Sequence, residues 1–137
     1  MEKTIHNLVY KYKTSDPIAL AKELGIIVLF ESLGSIRGYY NRQKRQKFIH
    51  INNSISYCDS RFTAAHELGH AILHPAENTP FLRENTLFSV SKLETQANKF
   101  AVALLTYNIE NKEKLTINQL AALSGVDSRI LIRYMSR

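Results

Sequence analysis

The sequence predicts an α+β fold, in which a small sheet of about three strands lies beside several helices. Short β-branched and aromatic runs are confined to residues 26–52, whereas apolar residues recur at helical spacing in the second half of the chain. Hydrophobic residues make up 45% and charged residues 22%, which is typical of a folded globular protein. With 137 residues, the chain is expected to form a single domain over residues 1–137.

The first predicted elements are a helix and a strand. Ser15 or Asp16 can cap a helix that begins at Pro17, because proline fits the first helical turn, and Gly25 is a natural end. The apolar run at residues 26–30 that follows predicts a buried strand.

Two further strands are predicted to form a hairpin around a basic turn. Residues 39–40 and 48–51 flank the basic segment 42–47, which is interpreted as a solvated turn rather than a nucleic-acid site. The strand at residues 48–52 is interpreted as a sheet edge to which an extended peptide could add. The basic turn would then favour acidic residues in that peptide, although Lys and Arg also protect an edge against aggregation.

Four helices are predicted in the second half of the chain. One runs from about residue 60 to the residue before Pro75, and another covers about 91–105, after an irregular connection. Two short helices at about 116–124 and 127–135 flank Gly125. This C-terminal helical pair, about residues 115–136, is expected to pack on the same domain.

The main functional signal is the run His66-Glu67-Leu68-Gly69-His70 inside the first of these helices. Residues four apart lie above one another on an α-helix, so His66 and His70 can bind one zinc ion. Glu67 then lies beside the metal, where it can take a proton from a water held by zinc and pass it to a leaving amine. The alternative is an ordinary helix whose histidines are solvated or hydrogen-bonded.

A catalytic zinc ion commonly has three protein ligands and one open position. His74 is unsuited as the third, because it lies roughly 12 Å from His66 along the helix axis. Glu94 on the next helix is the best candidate, since small residues on both helices would permit a close approach. These small residues are Gly69, Ala97 and Ala101. Its position alone leaves Glu94 equally well explained as an acidic residue that stabilises the helix N-terminus.

Other residues are candidates to stabilise the transition state or to support the ligands. Tyr57, Tyr39 and His74 are possible donors, but packing or ordinary hydrogen bonding explains each equally well. Asn98 follows Glu94 on the same helix and is a further candidate to support a ligand.

The cysteine count and the lack of long apolar runs indicate the cellular setting. Cys58 is the single cysteine, which excludes an intramolecular disulfide and agrees with a reducing compartment. The polar N-terminus is unlike a secretory signal, and no apolar run approaches the roughly 20 residues of a membrane span. A cytoplasmic protein with no membrane partner is therefore expected.

The sequence resembles the ImmA/IrrE family of metallopeptidases. The resemblance covers most of residues 16 to 106 in the family's order. The matching stretches are 61–75, 94–101, 38–40 and 49–52. It implies a zincin-like fold, one zinc ion held by His66, His70 and Glu94, and Glu67 as the general base.

The resemblance also implies a substrate. Members of this family often occur on phages and integrative elements beside a repressor gene, and they cleave, or relieve the action of, a helix-turn-helix repressor. The expected partner is therefore a repressor protein, in which a peptide bond is hydrolysed with the help of Glu67. The alternative is a non-proteolytic anti-repressor that only binds the repressor.

The C-terminal helices leave a DNA-binding regulator as a third hypothesis. Arg129, Arg133 and Arg137 recur every four residues on the second helix of a segment that looks like a helix-turn-helix. The net charge of +6 suits an acidic partner of any kind. Apolar residues on the same helix would instead pack on the peptidase core, and this explanation requires no DNA.

Overall fold

A three-stranded sheet and seven α-helices form the part of the chain that the structure describes. The computed structural model describes the backbone of residues 1–82 and 87–135, and the side chains of residues 1–80 and 92–135. The strands are β1 (Ile27–Glu31), β2 (Gly38–Gln43) and β3 (Gln46–Asn52). The helices are α1 (Glu2–Tyr12), α2 (Pro17–Glu23), α3 (Tyr57–Leu73), α4 (Thr79–Leu82), α5 (Leu87–Leu105), α6 (Ile117–Ser124) and α7 (Ser128–Tyr134). The predicted α+β class is confirmed.

The sheet has the strand order β1-β3-β2, with β1 parallel and β2 antiparallel to the central strand β3. One face packs against α3, and Tyr40, Ile49 and Ile51 on this face are fully buried. This face belongs to a cluster of buried residues that also includes Ile5 of α1 and Leu131 of α7. The first and last helices therefore pack on the same core, while a single domain over residues 1–137 stays a prediction.

Two predictions about the strands are wrong. The strand at residues 26–30 was expected to be buried, but β1 is an edge strand on which Leu29 is 39% and Phe30 52% exposed. The strand at residues 48–52 was expected to be an edge, but β3 lies at the centre of the sheet. The hairpin pattern indicates that β2 and β3 pair with each other. It does not indicate which of these two strands also pairs with β1.

The predicted helix boundaries lie close to the observed ones. Asp16 caps α2 by accepting a hydrogen bond from the N–H of Ala19, and Pro17 is its first residue. Thr116 and Gln119 form a capping box at the start of α6, and Gly125 ends that helix with a φ of 74°.

Three features differ from the predicted helices. Helix α1 and the short helix α4 were not predicted, and α5 begins at Leu87 rather than near residue 91. Residues 83–86 of the predicted irregular connection lie outside the described part. Among the helices that are described, none is both long and apolar enough to cross a lipid bilayer.

Candidate metal centre

Helices α3 and α5 approach each other closely because Gly69 lies at their contact. A Cβ atom at this position would lie 3.1 Å from Cβ of Phe100, so a larger side chain would push the helices apart. Ala97 and Ala101 on α5 are fully buried. This close contact places Glu94 of α5 next to His66 and His70 of α3.

The three residues proposed as metal ligands meet at one point. Nε2 of His66 lies 3.0 Å from Oε2 of Glu94, and Nε2 of His70 lies 3.0 Å from Oε1 of the same carboxylate. Two ligand atoms at about 2.0–2.1 Å from a tetrahedral ion are separated by about 3.3 Å. Two imidazole nitrogens and a carboxylate at this spacing are a donor set that suits a divalent transition metal such as zinc.

The charges of these groups favour a proton, or a cation in its place, between the imidazoles and the carboxylate. Burial alone would raise the pKa of Glu94, but hydrogen bonds from His66 and His70 outweigh it and lower that pKa well below its ordinary value. Burial would lower the pKa of His66, yet Glu94 and Glu67 raise it above its ordinary value. A metal ion would replace the Nε2 protons of both histidines.

Glu67 lies between the two histidines on α3 and is 1% exposed. One of its carboxylate oxygens lies within 4.8 Å of a ring nitrogen of each histidine, so its position would also allow it to be a ligand. We favour Glu94 for that role, because its two oxygens contact both Nε2 atoms. Glu67 instead borders a cleft of about 170 Å³. The other residues that line this cleft are Arg37, Gly38, Phe62, Thr63, His66 and Asn98.

The Nδ1 atoms of His66 and His70 also have hydrogen-bonding partners. Nδ1 of His66 lies 2.8 Å from Oδ1 of Asn98, and Nδ1 of His70 lies 3.3 Å from Nδ1 of His74. Nε2 of His74 in turn lies 2.6 Å from Oε1 of Gln96. Burial and the neighbouring His70 lower the pKa of His74 below its ordinary value. Asn98 and His74, two of the candidates named from the sequence, therefore lie where they can support the proposed ligands. Gln96, which was not a candidate, contacts His74 and belongs to the same group.

The structure does not bring the other candidate donors to this centre. Tyr57 is 75% exposed in the first turn of α3, nine residues and roughly 13 Å along the axis before His66. Tyr39 stacks on His50, with 4.1 Å between the ring centroids, on the sheet face opposite α3. Cys58 is exposed.

The basic residues of α7 are engaged locally. Nε and Nη2 of Arg129 donate hydrogen bonds to the two carboxylate oxygens of Asp127, at 3.1 and 3.0 Å. These hydrogen bonds lower the pKa of Asp127 to about 2. The guanidinium of Arg133 lies over the ring of Tyr134 at 5.6 Å. Arg137 lies outside the described residues, so the predicted basic stripe is described only at Arg129 and Arg133.

The outer edge of β2 is covered where it leaves the metal cleft. The N–H of Tyr40 donates to Oγ1 of Thr79 at 2.8 Å, and this hydroxyl donates to the carbonyl of Tyr40. The N–H of Arg42 donates to Oδ1 of Asn78. Asn78 and Thr79, at the start of α4, thus bind backbone groups with which another strand would pair.

Histidines and a carboxylate between two helices beside a small mixed sheet could hold a metal ion, and the sequence comparisons agree with a metallopeptidase. The chain belongs to the peptidase M78 family, described as the IrrE N-terminal-like domain, whose sequence pattern matches residues 21–115. The resemblance to the ImmA/IrrE family is thereby confirmed.

Two relatives extend this result. The chain is 41% identical over 136 residues to "Uncharacterized immunity region protein 2" of Bacillus phage phi105, covering 95% of this chain and 85% of that protein. It is 30% identical over 103 residues to "Metallopeptidase ImmA" of Bacillus subtilis (strain 168). This second match covers 74% of the chain and 60% of the relative.

Sequence reasoning missed two residues of this region. Gln96 contacts His74, which lies beyond the end of α3, and no spacing rule connects a residue there with an amide on another helix. Its place between Glu94 and Asn98 was the available signal, because those two residues were already suspected. Thr79 was assigned to an irregular connection, and nothing in the sequence indicates that it pairs with Tyr40.

Proposed function

We propose that this protein is a zinc-dependent endopeptidase that hydrolyses a peptide bond in a partner protein. The observation that carries the proposal is the contact of both histidine Nε2 atoms with the Glu94 carboxylate, beside a buried Glu67. Membership of a metallopeptidase family supports the same reading. Two imidazoles and one glutamate are a ligand set that catalytic zinc sites use, and we propose zinc for this reason.

His66, His70 and Glu94 would hold the metal, and Asn98 orients His66 by accepting a hydrogen bond from its Nδ1–H. The chemistry that zinc supplies when bound is Lewis-acid polarisation of the scissile carbonyl and a lower pKa, about 7, for an attacking water. The remaining steps belong to the protein.

Glu67 is the general base and then the general acid. It accepts a proton from the water that attacks the carbonyl carbon and delivers this proton to the nitrogen of the leaving amine, so that the C–N bond breaks. Its burial keeps bulk solvent from competing for that proton. The substrate is expected to lie at the start of β2, where Arg37 and Gly38 line the cleft. Farther along β2, Thr79 and Asn78 already occupy the edge of the strand.

We propose a helix-turn-helix repressor as the substrate. Support comes from the resemblance to the ImmA/IrrE family and from the relative whose name places it in a phage immunity region. A repressor encoded beside the gene for this chain is the first candidate to test.

The decisive experiment is Glu67→Gln, assayed with the neighbouring repressor and compared with a matched change, Glu110→Gln, at an exposed position. We expect wild type and Glu110→Gln to bind about one zinc ion per chain and to cleave the repressor. Glu67→Gln should keep the metal but lose at least about a hundredfold in cleavage rate, because proton transfer by a positioned side chain contributes typically 10² to 10⁴. Metal content is read by elemental analysis and cleavage by mass spectrometry.

The same variants separate the alternatives. A non-proteolytic anti-repressor would relieve repression equally well as wild type and as Glu67→Gln, with the repressor left intact. Cleavage by Glu67→Gln at the wild-type rate would refute the proposed mechanism.

A further inference from the structure

We propose that Gln96 and His74 form a hydrogen-bond relay that fixes the tautomer of His70, so that Nε2 of His70 is left free to bind the metal. Both are positioning residues, since they act through His70 and not on the substrate. The inference rests on the proposed metal site and adds a function for two residues that the peptidase mechanism does not use.

The relay is a continuous chain of three side chains. Oε1 of Gln96 lies 2.6 Å from Nε2 of His74, whose Nδ1 lies 3.3 Å from Nδ1 of His70. Nε2 of His70 points the other way, toward Oε1 of Glu94. The chain therefore runs from α5 to the residue after α3, back to α3, and ends at the ligand position.

The direction of each hydrogen bond follows from the first one. An amide oxygen can only accept, so Nε2 of His74 must carry the proton and donate it to Gln96. A neutral His74 then has a lone pair on Nδ1, which accepts from the Nδ1–H of His70. With one proton held on Nδ1, His70 would give up its Nε2 proton when a metal binds and present the Nε2 lone pair to the ion.

The neighbouring ligand shows why the relay is needed. His66 is oriented by one direct contact, from its Nδ1 to Oδ1 of Asn98. The side chain of His70 is fully buried, and in the described structure the group that faces its Nδ1 is His74. An imidazole can donate as well as accept, so it fixes the tautomer of His70 only if a further group fixes its own. Gln96 supplies that group.

The same geometry argues against two simpler functions for His74. As a metal ligand or a transition-state donor it would have to direct a ring nitrogen at the cleft. Nδ1 contacts His70 and Nε2 contacts Gln96, so both nitrogens are already engaged.

The test compares Gln96→Met, which removes the acceptor at similar size, with Gln96→Glu, which keeps an acceptor. Gln43→Met at the exposed end of β2 is the matched control, and His74→Phe removes the relay at its centre. Zinc affinity is measured by competition with a chelator of known affinity. Long-range ¹H–¹⁵N NMR on the zinc-loaded protein reads which nitrogen of His74 and of His70 carries the proton.

We expect wild type to show His74 protonated at Nε2 only and His70 protonated at Nδ1. Gln96→Met and His74→Phe should lose about tenfold to a hundredfold in zinc affinity, the range typical of groups that support metal-bound histidines. Gln96→Met should also lose the single His74 tautomer, whereas Gln96→Glu and Gln43→Met should keep wild-type affinity.

A wild-type spectrum with His74 protonated at Nδ1 overturns the relay. So does a zinc affinity that is unchanged in both Gln96→Met and His74→Phe. Either result leaves the zinc affinity of wild type and the effect of Glu67→Gln intact, so the proposed function would survive. A wild-type protein that binds no zinc would overturn both.

Discussion

The helix pair α3–α5 and the helix pair α6–α7 use their charged residues in opposite ways. In the first pair, His70 and Glu94 are 24 positions apart in sequence, and the histidine is fully buried. In the second pair, Arg129 and Asp127 are two positions apart, and the side chain of Arg129 is 88% exposed. Charges in the first pair therefore depend on the tertiary structure, whereas those in the second are satisfied by the local turn.

This difference indicates where the function lies. Removing charged groups from water costs free energy that apolar packing would not cost, so a buried cluster is weak evidence for stability. A binding site provides a reason to keep such groups. The Asp127–Arg129 pair carries no such cost, because Asp127 acts as the N-cap of α7 and its partner stays in solvent.

The largest effect is expected from Glu94→Gln in the metal centre. Loss of the negative charge between His66 and His70 should weaken zinc binding by at least about a hundredfold, since a direct ligand matters more than the groups that support it. The matched change in the other pair is Asp127→Asn, which should leave zinc affinity at the wild-type value. Chelator competition measures both, and equal affinities for Glu94→Gln and wild type would mean that Glu94 is not a ligand.

The next largest effect is expected on the free energy of unfolding, when Gly38 or Gly125 is changed to alanine. A Cβ at Gly38 would lie 2.5 Å from the carbonyl oxygen of His50 and from Thr63, so Gly38→Ala should lower the free energy of unfolding by about 1–3 kcal/mol. Gly125 ends α6 with a positive φ, and Gly125→Ala should cost about 1–2 kcal/mol of backbone strain.

Urea denaturation of the metal-free protein measures both glycine variants. Zinc affinity should fall for Gly38→Ala alone, because β2 borders the cleft beside His66. A loss of zinc affinity in Gly125→Ala would show that the two regions are coupled.

The predictability of the two regions differs for the same physical reason. The C-terminal pair was predicted closely, because caps and turns such as Thr116, Gly125 and Asp127 act on their own sequence neighbours. In the metal centre, the spacing of His66 and His70 predicted which residues share a helix face. The contact of Glu94 with both followed from the family resemblance rather than from spacing. Gln96 was missed because its partner lies in another element.

The sheet shows the same limit. Residues 26–30 read as a buried strand because they are apolar, but burial depends on which strand they pair with and on what covers them. The parallel pairing of β1 with β3 puts this strand at the edge. Local pattern thus predicts elements, whereas pairing order and the polar contacts of a site depend on long-range packing.

A smaller effect is expected from pH. In the metal-free protein, the raised pKa of His66 gives stability that is fully present below its ordinary value of 6.5 and lost as pH rises through the folded value. The lowered pKa of Glu94 gives stability that is present above its ordinary value of 4.5 and lost as pH falls through the folded value. These two contributions are therefore both complete between about pH 4.5 and 6.5.

Zinc at the proposed site would reverse this trend above pH 6.5, because it would bind the deprotonated histidines and stabilise the folded protein more as pH rises. The difference in Tm between the zinc-loaded and metal-free protein should therefore be larger at pH 8 than at pH 5.5. Thermal unfolding at both pH values, with Glu94→Gln as the control, measures it. An equal difference at both pH values would contradict proton release on binding.

The smallest effect is expected from Arg129→Ala with Arg133→Ala. Arg129 is held by Asp127 and Arg133 lies over Tyr134, so both contacts are local and solvent-screened. The double variant should keep wild-type zinc affinity, repressor cleavage and unfolding midpoint. Gel-shift assays at several salt concentrations should show no specific retention of DNA by either protein. If wild type instead retains DNA in a salt-dependent way and the double variant does not, α7 has a function of its own, because only phosphate contacts give that dependence.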